Sequence, residues 1–174
     1  MKQLAPLEES LAKVFKDLPH LPKGLRDWLY ENVWWLVIVG LVFSVFGVFA
    51  GLSSLAVLAS LTMGMYGVAF VGAWVVASII SLVVLVATIV VEAMAIQPLK
   101  NKQKRGWDLL FLSLIISVVG TAVTSLVGMN VFGLIGILIG AAIGGYLLFE
   151  MRGHYTGDPE VVKAHAGGVP PKPE

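Results

Sequence analysis

The chain has 174 residues, of which 57% are hydrophobic and only 13% are charged, and its formal net charge at pH 7 is +1. So few charged side chains cannot cover the surface of a water-soluble domain of this size, and the composition excludes that class. The lack of cysteine excludes disulfides and thiolate metal sites. No basic cluster interleaved with aromatics indicates nucleic acid as a partner.

The first predicted element is an amphipathic helix within residues 1–32. Its apolar side chains recur at helical spacing: Leu4, Leu7, Leu11, Val14, Phe15 and Leu18. We expect the helix to begin near Pro6, because proline fits the first turn. Residues 1–32 carry equal numbers of basic and acidic side chains and therefore have no excess positive charge for anionic lipid. We favour a helix on the protein's own cytosolic face over a contact with a partner or with the membrane surface.

Two long stretches without charge predict the membrane spans. Between Glu31 and Glu92 lie 60 residues without Asp, Glu, Lys or Arg, and between Asp108 and Glu150 lie 41 more. A helix needs about 20 apolar residues to cross a bilayer, so each stretch holds two spans. The predicted spans are residues 33–50, 68–96, 107–127 and 131–149, the second of them ended by Pro98. The fold class is therefore an all-α polytopic membrane protein.

The predicted organisation has three parts: a cytosolic segment, 1–32; a four-helix membrane bundle, 33–150; and a flexible cytosolic tail, 151–174, that ends in "GGVPPKPE". Residues 51–67, "GLSSLAVLASLTMGMYG", stay open between two interpretations. They form either a short re-entrant or interfacial helix or an extension of the first span beyond the bilayer.

The distribution of basic residues predicts the orientation. Four of them follow the second span: Lys100, Lys102, Lys104 and Arg105. Residues 51–67 and 128–130 contain no charge. The positive-inside rule then places the basic loop and both termini in the cytoplasm, in a multi-pass protein of the inner (cytoplasmic) membrane.

Small residues repeat every four positions in the spans. The fourth span carries Gly136, Gly140 and Gly144, and the second carries Ala69, Ala73, Ala77 and Ser81. In lipid, glycine does not unravel a helix, and it opens a groove in which a second backbone packs closely. These residues are the predicted helix-packing or homo-oligomer faces, with the bilayer and further copies of the chain as partners.

Hydroxyls are aligned along the third span. The stripe consists of Ser113, Ser117, Thr121 and Ser125. One interpretation is a polar path through the membrane. The other, which we favour, is that each hydroxyl bonds back to a carbonyl of its own helix while the small side chains admit a neighbouring helix.

Glu92 is the one acidic residue inside a predicted span, which makes it a candidate ion or proton site. Because Pro98 and the basic loop are near, we favour an interfacial pair with Lys100 or Arg105. The three histidines, in polar segments without a carboxylate at ligand spacing, are interpreted as solvated. No nucleophile lies beside a base and no phosphate-binding loop occurs, so we expect a non-enzymatic protein without cofactor or metal.

The segments "KRGWDLLF" and "GGYLLFEMRGHYT", with the glycine-rich span that precedes the second, resemble those of small four-span membrane proteins of candidate-phyla bacteria. The resemblance covers residues 28–156 and implies four spans but no activity. Two functional classes remain open. One is an oligomeric pore or channel, and the other is a structural or accessory protein that recruits partners through its cytosolic segments.

Overall fold

The computed structural model describes residues 5–16, 18–62 and 68–156, and these residues form helices without any strand. The helices are α1 (Ala5–Lys16), α2 (Lys23–Thr62), α3 (Val68–Lys100), α4 (Lys104–Val127), α5 (Val131–Glu150) and α6 (Arg152–Thr156). By length and composition, α2 to α5 can each cross a membrane. The predicted all-α bundle of four membrane helices is confirmed. Most of the predicted tail lies outside the described residues.

Helix α2 is longer than the predicted first span. It begins after Pro22, whose carbonyl accepts hydrogen bonds from Leu25 and Arg26. Residues 23–32, assigned from the sequence to the cytosolic segment, therefore belong to the membrane helix. At the other end α2 continues to Thr62, so residues 51–62 extend the first span. Forty residues span about 60 Å, roughly twice the thickness of the hydrocarbon core.

The sequence predicted that the second span ends before Pro98, but the helix continues past this proline. Proline removes one backbone donor, yet α3 continues to Lys100. The chain then reverses within residues 101–103. Lys102, in the left-handed region with φ 56°, donates its backbone N–H to the carbonyl of Leu99, 2.9 Å away. Gln103 donates to the carbonyl of Pro98, so the proline closes the turn rather than ending the helix.

A second short turn joins α4 to α5 at residues 128–130, where the sequence predicts it. Met129 has φ 51°. The side chain of Asn130 accepts a hydrogen bond from the backbone N–H of Gly133 at 3.0 Å and so caps the N-terminus of α5.

The long helices pack in chain order, α2 against α3, α3 against α4, and α4 against α5. Buried apolar side chains gather at the end of the bundle that carries residues 101–103 and α6. We call this group the base cluster: Leu29, Val33, Ala95, Leu99, Trp107, Leu109, Phe111, Leu148, Met151 and Tyr155. At its centre the fully buried Trp107 stacks on Phe111 and donates its indole N–H to the carbonyl of Leu148, 2.8 Å away. All four membrane helices therefore meet in the base cluster.

The N-terminal segment lies across the same end of the bundle. Phe15 of α1 stacks on Phe149 with ring centroids 5.0 Å apart. Arg152 pairs with Glu8 at 2.9 Å. The hydroxyl of Tyr146 donates to the carbonyl of Pro19 at 2.6 Å. These contacts confirm that α1 lies against the chain's own membrane domain.

Two histidines have carboxylate partners that are distant in the sequence. His20 Nδ1 lies 2.7 Å from Glu150 Oε1, and the side chain of Glu150 is only 3% exposed. His154 Nε2 lies 3.2 Å from Asp27 Oδ1, and the histidine side chain is 5% exposed. The interpretation of His154 as a solvated residue is therefore wrong. His20 is partly exposed but paired, and His165 lies outside the described residues.

Candidate functional site

A cleft of about 320 Å³ opens at the end of the bundle opposite the base cluster. We call it the hydroxyl cleft. Its lining comes from α2 (Gly47, Gly51, Ser54), α3 (Trp74, Ala77, Ser78, Ser81, Leu82, Leu85), α4 (Thr121, Thr124, Ser125) and the α4–α5 turn with its first helical residues (Gly128, Asn130, Gly133). None of these residues is charged. The polar groups are hydroxyls, one amide and one indole.

Small side chains create this cleft. An added Cβ at Gly51 would lie 2.7 Å from Leu82 Cδ2, and one at Gly47 would lie 3.6 Å from Leu85 Cδ2. The two glycines therefore bring α2 close to α3. Beside these contacts, Ala77 and Ser81 are too small to fill the space between α3 and α4. The sequence identified Ala77 and Ser81 as packing residues but gave no sign that they line a cavity.

The hydroxyls in the cleft are of two kinds. Ser54 and Thr124 donate to carbonyls three residues earlier in their own helices, at 2.8 and 3.0 Å. In contrast, the hydroxyls of Ser81, Thr121 and Ser125 form no hydrogen bond with any other described residue, although Ser125 is only 5% exposed. The favoured interpretation, in which each hydroxyl of the α4 stripe bonds back to its own helix, is wrong for Thr121 and Ser125.

Helices α3 and α4 run antiparallel in very close contact. An added Cβ at Gly106 would lie 2.6 Å from the backbone nitrogen of Leu99, and one at Gly120 would collide with the side chain of Val84. Because Gly106 and Gly120 have no side chain, the backbone of α4 packs directly against Leu99 and Val84 of α3. This pairing places each residue of the α4 stripe opposite a defined position of α3.

Glu92 lies in this α3–α4 contact. Its Oε1 accepts a hydrogen bond from Ser113 Oγ at 3.1 Å. Lys100, in contrast, holds its ammonium group 5.6 Å from the centre of the Trp34 ring, and Arg105 is exposed. The pair with Lys100 or Arg105 that we favoured from the sequence does not form in the structure.

The remaining polar residues of this contact lie between Glu92 and the cleft. Thr88 is buried and donates its hydroxyl to the carbonyl of Val84 at 2.7 Å. Ser117 is half-buried on α4. Along the helix axis Thr121 is about 12 Å from Ser113, because eight residues separate them. The predicted hydroxyl stripe therefore divides into a cleft part, Thr121 and Ser125, and a part beside Glu92.

The glycine repeat of α5 divides in a similar way. No atom outside the local helix lies within 4 Å of a Cβ built at Gly136 or Gly140. Gly144 faces Leu114 Cδ1 at 3.5 Å, and Gly145 faces the ring of Phe15. The first two glycines thus have no packing partner within the described chain. On α3, Ala73 is half-buried and the side chain of Ala69 is outside the described set.

The charged groups collect at the base end. The Lys102 ammonium donates to the carbonyl of Tyr30 at 2.6 Å and lies 4.1 Å from the centre of its ring. Burial lowers the pKa of Lys102, and the nearby Glu31 partly offsets this shift. Burial raises the pKa of Tyr155, whose hydroxyl has no hydrogen-bond partner in the described chain. Across residues 5–16, 18–62 and 68–156, no three His, Cys, Asp or Glu side chains are placed to share a metal ion.

The fold and the composition of these helices define the class of the protein: an all-α multi-pass membrane protein with a four-helix bundle. No protein-family model, curated protein or solved structure matches the chain. The resemblance to four-span proteins of candidate-phyla bacteria therefore stays a prediction.

Proposed function

We propose that the chain is a non-enzymatic protein of the cytoplasmic membrane that self-associates through α5. The observation that carries this proposal is the uncovered part of the glycine repeat at Gly136 and Gly140. We call this surface the glycine face, and it includes the exposed side chains of Ile139 and Ile143. A glycine costs a helix about 1 kcal/mol relative to alanine in water, so a repeat without packing partners has no benefit within one chain.

A second α5 is the partner that fits the glycine face. In lipid, apolar side chains gain little by leaving the hydrocarbon, and helices associate mainly through close van der Waals contact. Glycines four residues apart permit that close approach. Ile139 and Ile143 are exposed on the same side of α5 and provide the apolar contact surface for the facing helix.

Self-association is better supported than a pore along this face. The exposed side chains next to the glycines are isoleucines, which offer no polar lining for water or ions. The polar side chains lie in the hydroxyl cleft of each chain instead. The accessory role, in which α1 recruits a partner, is less well supported. Helix α1 already contacts Phe149 and Arg152 of its own chain, which leaves less of its surface for partners.

The oligomer is tested by changing one glycine. Gly140→Leu inserts a branched side chain into the proposed contact, and overpacking of this kind costs about 1–3 kcal/mol. We expect native mass spectrometry in lipid-like detergent to show smaller species, with the unfolding temperature of the monomer unchanged. Gly140→Ala should have a much milder effect.

Gly40→Leu on α2 is the matched control, since a Cβ built at Gly40 also meets no described atom within 4 Å but Gly40 has no second glycine four residues away. It should leave the assembly intact. An unchanged oligomer in Gly140→Leu, or an equal change in Gly40→Leu, would contradict the proposed contact.

The cytoplasmic position of both termini is the second part of the proposal. The basic loop and the N-terminal segment lie at the same end of the bundle, as an even number of spans requires. A cysteine at Asn130 should react with an impermeant label in intact cells, whereas one at Lys104 should not. The natural chain has no cysteine to interfere. If only the cysteine at position 104 is labelled, the orientation of the protein in the membrane is the opposite of the one proposed.

A further inference from the structure

The hydroxyl cleft has properties that helix packing does not explain. Ser125 is 5% exposed, lines the cleft and forms no hydrogen bond within the described chain. The Ser125 hydroxyl is not sealed from solvent, because its oxygen remains accessible from the cleft. Ser81, which is exposed, and Thr121, which is half-buried, line the same cleft, and their hydroxyls also lack a hydrogen-bond partner in the described chain. Hydroxyls that face one cavity without a protein partner favour a polar occupant over lipid.

Water is the occupant that fits the cleft. About 320 Å³ holds roughly ten molecules at about 30 Å³ each. Among the described residues, the lining contains no charge that would select an ion. Its hydroxyls and the amide of Asn130 both donate and accept hydrogen bonds, so each water has several partners.

The inner end of the cleft points toward Glu92. Leu85 of α3 marks that end, and Glu92 lies two helical turns further, about 10 Å along the axis. Thr88 and Ser117 occupy the interval. The buried hydroxyl of Thr88 donates to the carbonyl of Val84 and keeps its acceptor sites free for a hydrogen bond from water.

The described residues place few polar or charged groups near Glu92 to compensate the charge of its ionised carboxylate. Its polar contact is the hydroxyl of Ser113. Between Glu31 and Glu92 the chain has no charged residue, and on α4 the charged residue nearest to Ser113 is Asp108. No histidine lies in either stretch. An ionised carboxylate in this environment is unfavourable, so its charge is controlled by access to protons.

We infer that the hydroxyl cleft is a water-filled vestibule that carries protons between the surface at the α4–α5 turn and the Glu92 carboxylate. The opposite route is closed by Ala95, Leu99 and Trp107, which are fully buried in the base cluster. Glu92 therefore exchanges its proton with one side of the membrane. The inference does not depend on self-association through the glycine face.

Single cysteines test whether the cleft contains water. Ser81→Cys and Ser125→Cys place a thiol in the cleft, whereas Val83→Cys and Val123→Cys place it on the outward faces of the same helices, where Val83 and Val123 are exposed to lipid. Only a thiolate in water reacts with a charged, impermeant reagent, so the cleft variants should react at least about tenfold faster. Equal rates in the two pairs would overturn the vestibule.

The route to Glu92 is tested by infrared spectroscopy of the protein in nanodiscs. The carbonyl band of its protonated carboxyl group should titrate with pH, shift in Ser113→Ala, which removes the hydrogen bond, and vanish in Glu92→Gln. Labelling Ser81→Cys with a bulky reagent should slow deuterium exchange of this band by about tenfold or more, while unlabelled Ser81→Cys should match the natural protein. Exchange that is unaffected by the label, or the absence of a titrating band from Glu92, would overturn the inference.

Discussion

The two ends of the bundle are built from the same helices but have opposite character. At the base, Trp107, Phe111 and Leu99 are almost completely buried. At the cleft end, glycine, alanine, serine and threonine leave a cavity of about 320 Å³. Side-chain volume along α3 and α4 therefore decides where the bundle is closed and where water enters.

The contrast has a physical reason in the membrane. Lipid supplies little hydrophobic driving force between helices, so stability comes from close packing and hydrogen bonds. The base cluster concentrates both, with stacked rings and the bond from Trp107 to the carbonyl of Leu148. With one end held firmly, the other end can keep poorly packed polar side chains that serve a function.

The largest effect is expected for Trp107→Ala, which removes the centre of the base cluster. Truncation of a buried aromatic residue costs about 3–5 kcal/mol, and the carbonyl of Leu148 loses its side-chain donor. Thermal unfolding in detergent should show a large drop in melting temperature. Trp35→Ala is the control, because Trp35 is 52% exposed and should change stability little. Equal losses in both variants would show that the base does not stabilise the bundle.

Glycine-to-alanine exchanges compare the two kinds of glycine directly. A Cβ at Gly106 would lie 2.6 Å from the backbone of Leu99, which cannot move aside easily, so Gly106→Ala should lose about 1–3 kcal/mol of unfolding free energy. Gly136→Ala meets no neighbour and should leave the unfolding free energy of the monomer unchanged or slightly higher. If Gly106→Ala proves neutral, α3 and α4 do not pack as closely as described.

A smaller effect is expected where the N-terminal segment is held to the base. His20→Ala removes a bond to the buried carboxylate of Glu150, which keeps the backbone N–H of Leu21 as a donor at 3.3 Å. Because His20 is more than half exposed, we expect a loss of about 1 kcal/mol. Hydrogen exchange of the α1 amides should accelerate about fivefold. Glu9→Ala is the control, because Glu9 is exposed, and it should leave the hydrogen exchange of the α1 amides unchanged.

The smallest effect at neutral pH is expected for Tyr155→Phe. The hydroxyl of Tyr155 is buried without a partner, so its removal should be neutral or stabilising by up to about 1 kcal/mol. Burial raises the pKa of Tyr155 above its ordinary value of 10.0, so the folded state holds the proton more tightly than the unfolded state does. Stability should therefore fall as pH rises above that value.

Tyr155→Phe should lose less stability than the natural protein in thermal melts between neutral pH and pH values above the ordinary tyrosine pKa. Burial lowers the pKa of Lys102, and this shift makes stability rise with pH instead of fall. Lys102 is present in both proteins, so its contribution cancels in the difference between their stabilities. Parallel pH profiles of the two proteins would contradict the burial of the Tyr155 hydroxyl.

The sequence was sufficient for the features that depend on local composition. The charge-free stretches beyond Glu31 and Asp108 predicted four spans, and "GMN" predicted the α4–α5 turn. The amphipathic pattern around Phe15 predicted a helix on the protein's own surface. Each follows from periodicity or from the length that a bilayer requires.

Features that depend on distant residues could not be predicted in this way. The pair of His20 with Glu150 joins residues 130 positions apart. The partner of Glu92 proved to be Ser113 on the next helix, which the spacing to Lys100 did not reveal. The glycine repeat of α5 defined a face, but only the packing shows that Gly140 is uncovered.

The central claim is that water enters the bundle from one end and stops before the base. Magnetisation transfer from water to individual residues, measured by NMR on the protein in lipid, tests it most directly. We predict transfer to Ser81, Thr121 and Ser125 in the hydroxyl cleft and none to Leu99 and Trp107 in the base cluster. Transfer to both groups would mean a bundle open from end to end, and transfer to neither would mean a dry one; either result contradicts the account.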